Sequence, residues 1–106
     1  MKTNTRDLVN KALDWAVTLA LDPTAKLTSS TFILSYSTDV DFANVIIETY
    51  SILVSDKGTH WAATMETLDK MEPTTESGPT REIAAMQCFA VAKLGDSVEI
   101  PDELLF

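Results

Sequence analysis

The sequence has little of what catalytic and metal sites require. It contains one cysteine, Cys88, and one histidine, His60. A single cysteine excludes an intrachain disulfide, and a single imidazole excludes a metal site of two or more histidines within one chain. The nucleophile-elbow, zinc-protease and dinucleotide-binding patterns are absent too. We therefore expect a protein that is not an enzyme and that holds no cofactor and no metal ion.

Basic residues are scarce, and long apolar runs are missing. Eight Lys and Arg residues stand scattered against 16 Asp and Glu, giving a net charge of −8. A field of this sign repels phosphate backbones and anionic lipids. The chain lacks the roughly 18 consecutive apolar residues of a membrane helix, and its start lacks the apolar stretch of a signal peptide. We expect a soluble, intracellular protein that binds neither nucleic acid directly nor membranes.

What the sequence does contain is the composition of an ordinary globular domain. Hydrophobic residues make up 45% and charged residues 23% of its 106 residues. A chain of this size buries about two-thirds of the surface that it exposes when unfolded, which is enough for a core without disulfides or metal. We expect one domain over residues 1–106.

Three segments have helical spacing of their apolar residues. The first is 5–21, with Thr5 as its expected cap and Pro23 after its end. The second follows the turn 37–39, although its β-branched run 45–47 also suits a strand. The third begins at Thr80 as its expected cap, or at Gly78 with Pro79 in the first helical position, and ends at Gly95, its expected stop.

Strand patterns occupy the middle of the chain. The runs 51–55 and 61–65 flank a short loop with glycine, which predicts a β-hairpin. Residues 97–101 alternate and predict an edge strand, 31–36 suit either a strand or a buried loop, and 69–77 suit a loop. The predicted fold is α+β, with an N-terminal helix, a short middle helix, a small antiparallel sheet built on the hairpin, and a C-terminal helix packed on the sheet.

Few side chains are candidates for a catalytic or metal-binding role. Cys88 lies in mid-helix among alanine and methionine, which favours an inert core thiol over a nucleophile. His60 stands at the hairpin end and is expected at the surface. Asp39 with Asp41 and Glu48 suits a hard cation, but Asp39 suits a helix cap better. Trp15 is expected in the core.

The segment after Gly95 is acidic and unusually apolar for a tail. Such a tail either docks on its own core or meets a partner. Together with the 37–39 turn, it supplies the predicted partner-contact residues, which are Ser37, Thr38, Asp39, Leu104, Leu105 and Phe106.

The chain also resembles a known family. TRDLVNKALDWAV (5–17), the STD turn with IIE (46–48) behind it, the WA pair (61–62) and the elements of GPTREIAAMQCFAVAKLGDSVEIPDEL (78–104) are similar to the NinX-like proteins of tailed bacteriophages and prophages. YSTD (36–39) also looks like the related phage alpha-beta-alpha sandwich domain. The sequence departs from the family at 43–45, where members often have a Gly-Gly-Pro-like element, and at Arg81, where they often have proline.

The resemblance implies a phage accessory protein in the host cytoplasm and brings no catalytic residues to transfer. We therefore expect a non-enzymatic protein that acts by contact with a host or phage protein, as a monomer or a homo-oligomer. Three alternatives stay open: an acidic nucleic-acid-like decoy that blocks a host defence protein, a small-ligand binder using a pocket beneath the 37–39 turn, and a purely structural module.

Overall fold

The computed structural model describes residues 2–26, 33–67, 72–101 and 104. Their regular elements confirm the predicted α+β class, with the third helix packed on sheet strands. In chain order they are β1 (Lys2–Asn4), a 3₁₀ turn (Thr5–Asp7), α1 (Asn10–Leu21), α2 (Val40–Thr49), β2 (Leu53–Asp56), β3 (Trp61–Met65), β4 (Thr74–Gly78), α3 (Arg81–Leu94) and β5 (Ser97–Glu99).

The main sheet is antiparallel with strand order β2-β3-β4. Its β2–β3 hairpin was predicted, and the connection turns at Gly58, whose φ of 91° suits glycine. The prediction of a loop over 69–77 was wrong for its C-terminal part, because β4 pairs with β3 from Thr74 to Gly78. The segment 74–77 contains no apolar side chain, so its pairing rests on the backbone ladder and on contact with α3.

A second, two-stranded sheet joins the two ends of the chain. The predicted edge strand at 97–101 is confirmed over β5, and its partner is β1, which the sequence did not predict. Lys2 pairs with Glu99 and Asn4 with Ser97 in antiparallel register.

Helix α3 begins and ends where the sequence predicts. The Thr80 hydroxyl accepts from the Ile83 N–H at 3.1 Å, and Gly95 follows the helix with a φ of 86°. At its start the helix lies close to β4, since a Cβ on Gly78 would come within 2.9 Å of the Ile83 Cγ2 atom. Nine consecutive residues, 84–92, are buried in α3. The sheet lies against this helix together with α1 and α2.

The predicted start of α1 at a Thr5 cap was wrong. Thr5 is fully buried, and its hydroxyl donates to the Gly95 carbonyl oxygen at 2.7 Å instead of capping a helix. Only a 3₁₀ turn forms there, and α1 begins at Asn10 without a side-chain cap. Trp15 is 3% exposed and lies in the core, as predicted.

Helix α2 forms over the segment that also suited a strand. The Asp39 carboxylate accepts from the N–H groups of Asp41 and Phe42, so its predicted role as a cap is confirmed. At the other end, the Ile52 N–H donates to the Ile47 carbonyl oxygen and the Ser51 N–H to that of Glu48. This is a Schellman motif with Ser51 in the left-handed conformation, at a φ of 53°.

The segment before α2 is irregular where it is described. Residues 33–35 form no strand, which favours the loop interpretation of 31–36, and 31–32 lie outside the described residues. Within the described ranges, no helix has the length and apolar character to cross a bilayer.

Ser51→Gly should stabilise the protein. Glycine occupies the left-handed region without the steric cost that a side chain pays, which offsets its larger entropy when unfolded, so we expect a gain of about 0.5–1 kcal/mol. Urea unfolding followed by circular dichroism measures it. Ser55→Gly in β2 is the control and should lose stability; equal losses in both variants would contradict the motif.

Candidate functional site

The predicted 37–39 turn is anchored from inside the fold. Asp14 on α1 is 5% exposed, and its Oδ1 atom accepts from the Ser37 N–H at 2.8 Å. Ser37 itself is 2% exposed, and its hydroxyl finds no hydrogen-bond partner of good geometry in the described part of the chain. Of the three residues of this turn, Thr38 is exposed, whereas Ser37 is buried and Asp39 is half-buried at the start of α2.

The Asp14 carboxyl has an unusual electrostatic environment. Burial raises its pKa above the ordinary aspartate value, because the charged form loses hydration. The hydrogen bond from the Ser37 N–H and the charge of Lys11 act in the opposite direction but do not cancel the effect. Burial and the Asp14 charge likewise raise the pKa of Tyr36. Asp14 is therefore a buried acid that holds the turn before α2.

A second region is the outer face of the main sheet. The inner face is buried, with Ala63 and Met65 at 1% and 3% exposure. On the outer face, Leu53, Thr64 and Thr75 form one row across the three strands, and Leu53 is 73% exposed. The row ends in a large apolar side chain on an edge strand.

Beside Leu53 lies an open groove of about 480 Å³. Thr67 lines it, and its buried hydroxyl has no partner among the described residues. The groove and the strand next to it are called the β2 surface below. Its residues are Tyr50, Ser51, Thr64, Glu66, Thr67 and β2 itself.

Tyr50 forms the aromatic wall of the groove and is packed against α3. The ring of Tyr50 lies 4.6 Å from that of Phe89 on α3, centroid to centroid. The Lys93 ammonium lies 5.0 Å from the Tyr50 centroid, a cation–π contact. Both partners belong to α3, so this wall of the groove is packed against that helix.

A decoy would present the acidic side chains of the tail and of the loop before α3, which are Asp96, Glu99, Asp102, Glu103, Asp69, Glu72 and Glu76. Two of these carboxylates lie against a basic side chain. Arg6 lies 3.3 Å from the Asp96 carboxylate and 3.7 Å from that of Glu76. One guanidinium thus offsets two of the candidate carboxylates. Asp69, Asp102 and Glu103 lie outside the described residues.

The tail docks in part. Ile100 is 1% exposed, and Leu104 is half-buried against the core. The predicted contact residues Leu105 and Phe106 lie outside the described residues. The apolar character of the tail is therefore explained by the core for Ile100 and in part for Leu104.

The remaining candidate side chains lie apart from both regions. Cys88 is fully buried with its thiol donating to the Thr74 carbonyl oxygen at 3.2 Å, and His60 is exposed, both as predicted. Over the described ranges, no group of three or more His, Cys, Asp or Glu side chains is arranged to hold a metal ion.

Sequence reasoning missed Asp14 and Leu53 as residues of interest. The sequence gives no sign that Asp14 is buried. The apolar stripe of the helix is complete without this residue, and no nearby residue in the sequence marks its hydrogen-bond partner. Leu53 carried a signal: Ile52, Leu53 and Val54 are consecutive in the predicted strand 51–55, whose side chains alternate, so at least one had to face away from the core.

Comparison with models of known protein families and with curated proteins finds no match to this chain.

Asp14→Asn should change how stability depends on pH. Because the folded pKa of Asp14 is raised above its unfolded value, its contribution is present while the carboxyl is protonated and is lost as pH rises from about 4 through the folded pKa. The Asn oxygen can still accept from Ser37, so Asp14→Asn should be more stable than wild type at pH 7, with a difference that shrinks towards pH 3.

Denaturant unfolding at several pH values measures this effect. Glu48→Gln, which neutralises an exposed carboxylate on α2, is the charge-matched control and should show a much smaller trend. Asp14→Ala removes the acceptor of Ser37 and should cost about 1–3 kcal/mol at pH 3 and less at pH 7, where wild type has itself lost the contribution of the protonated carboxyl. An Asn variant less stable at pH 7 than at pH 3, relative to wild type, would refute the assignment.

Proposed function

We propose that this protein is a non-enzymatic accessory protein that acts by binding another protein through the β2 surface. The observation that carries the proposal is Leu53, a leucine 73% exposed on an edge strand beside a groove. Single exposed leucines are common, but here an apolar side chain, a concavity and an unpaired strand edge coincide.

The contacts that hold the groove residues in place support the same proposal. A surface held in its binding conformation loses less conformational entropy when a partner docks. Tyr50 is held by Phe89 and Lys93, and Ser51 is fixed by the Schellman motif that ends α2. The proposed surface therefore requires little ordering before contact.

The biological context of this protein–protein contact is proposed from the sequence alone. Resemblance to the NinX-like proteins suggests a phage accessory role in the host cytoplasm, with a host or phage protein as the partner. The decoy alternative is weakened because Arg6 lies against both Asp96 and Glu76. The contacts predicted at Ser37, Thr38, Asp39 and the tail stay predictions.

Leu53→Ser should weaken partner binding by at least tenfold. Burial of a leucine side chain contributes about 1.5–3 kcal/mol, and about 1.4 kcal/mol is one factor of ten in affinity. A photo-crosslinking residue at Ser55, exposed next to Leu53, first identifies the partner in expressing cells. Calorimetry with the purified partner then compares the variants.

Leu21→Ser is the matched control, since Leu21 is 39% exposed at the end of α1, outside the β2 surface. It should bind as wild type does. A partner that binds wild type, Leu53→Ser and Leu21→Ser with equal affinity would refute the proposed surface.

A further inference from the structure

We propose that the partner docks by adding an extended, basic segment to the free edge of β2, as a fourth strand of the main sheet. This inference rests on the proposed function and specifies how the contact is made. Strand addition uses backbone hydrogen bonds for affinity and pockets beside the edge for selectivity.

The backbone of β2 defines which groups are available. The Lys57 N–H donates to the His60 carbonyl oxygen, so 57 and 60 form a hydrogen-bonded pair of the hairpin. Such pairs alternate along an antiparallel ladder, which makes Ser55 with Ala62 the next one. The N–H and C=O groups of Val54 and Asp56 therefore point away from β3.

No other described strand uses that edge. The strand order gives β2 a single neighbour, β3, and Ser55 and Asp56 are exposed. An incoming strand would meet the Val54 and Asp56 backbone groups on β2. Its outer-face side chains would reach Leu53 and the adjoining groove.

The charge of the surface selects the occupant. Glu66 lines the groove at one end of β2. Asp56 is exposed at the other end, where its carboxylate accepts from the Gly58 N–H at 2.8 Å and the exposed Lys57 follows it in the chain. A second copy of this chain would bring another net charge of −8 to the same edge, which opposes self-pairing. A basic segment with alternating apolar side chains complements both the carboxylates and Leu53.

Amide hydrogen exchange followed by NMR tests the mode of binding directly. The probe is a ten-residue peptide alternating lysine and valine; a peptide alternating glutamate and valine is its control. The free protein should exchange fast at Val54 and Asp56 and slowly at Ser55. The basic peptide should slow exchange at Val54 and Asp56 by at least tenfold, and the acidic peptide should not.

Val54→Pro separates strand addition from other binding. Proline removes the outward N–H of Val54 and leaves the β2–β3 ladder bonds intact, whereas Ser55→Pro removes a ladder bond and should destabilise the sheet. We expect Val54→Pro to bind the basic peptide with at least tenfold lower affinity than wild type. If Val54→Pro does not fold, a peptide N-methylated along its pairing edge replaces it and should bind at least tenfold more weakly than its parent.

Several outcomes overturn the inference. Absence of slowed exchange at Val54 and Asp56, equal binding by both peptides, or equal binding by Val54→Pro and wild type would each do so. Self-association that Val54→Pro abolishes would assign the edge to a second copy instead. If Leu53→Ser weakens binding of the cross-linked partner but Val54→Pro does not, the strand-addition inference is wrong while the proposed function stands.

Discussion

Helix α3 is enclosed by the rest of the chain, and the arrangement of the other elements depends on that burial. Residues 84–92 are buried without interruption, so the helix must be compatible with neighbours around its whole circumference. Alanine at 84, 85, 90 and 92 lets those neighbours approach closely. Its buried polar side chain, Gln87, needs an acceptor and finds it in the Leu8 carbonyl oxygen at 2.9 Å. The chain between β1 and α1 is thus fitted to α3 rather than to its own helical preference.

Local patterns predicted the elements whose stability is local. The helices have apolar residues at a period near 3.6, and the hairpin has its glycine loop, so Asp39, Thr80 and Gly95 were placed correctly. The strands β1 and β4 are different, because they are short or polar and form by pairing with residues already positioned by α3. Thr5 has a side chain well suited to capping a helix, but its hydroxyl donates instead to the carbonyl oxygen of Gly95, which lies 90 positions away in the sequence. Contacts between residues distant in sequence decide the conformation of Thr5, β1 and β4, and a local stretch of sequence does not include both partners of such a contact.

The candidate site was only partly predictable for the same reason. The 37–39 turn was identified as a helix entry from its side chains, and that assignment holds. That Ser37 is tied to Asp14 depends on where α1 lies, and the sequence offers no measure of that distance. The exposure of Leu53 followed from strand alternation in principle, but which of three consecutive apolar residues faces water depends on the register with β3.

The two regions of interest are joined by α2. The helix is fixed at its start by the Asp39 cap and by the preceding turn, which Asp14 holds, and at its end by Ser51, which lines the groove. Arg81 of α3 donates to the Asn44 side chain at 2.8 Å and fixes the middle. Buried Asp14, left-handed Ser51 and exposed Leu53 each break a local rule. Natural sequences usually retain such violations where function or strain requires them, and here Asp14 holds the turn before α2, Ser51 follows the end of that helix and Leu53 lies on the next strand.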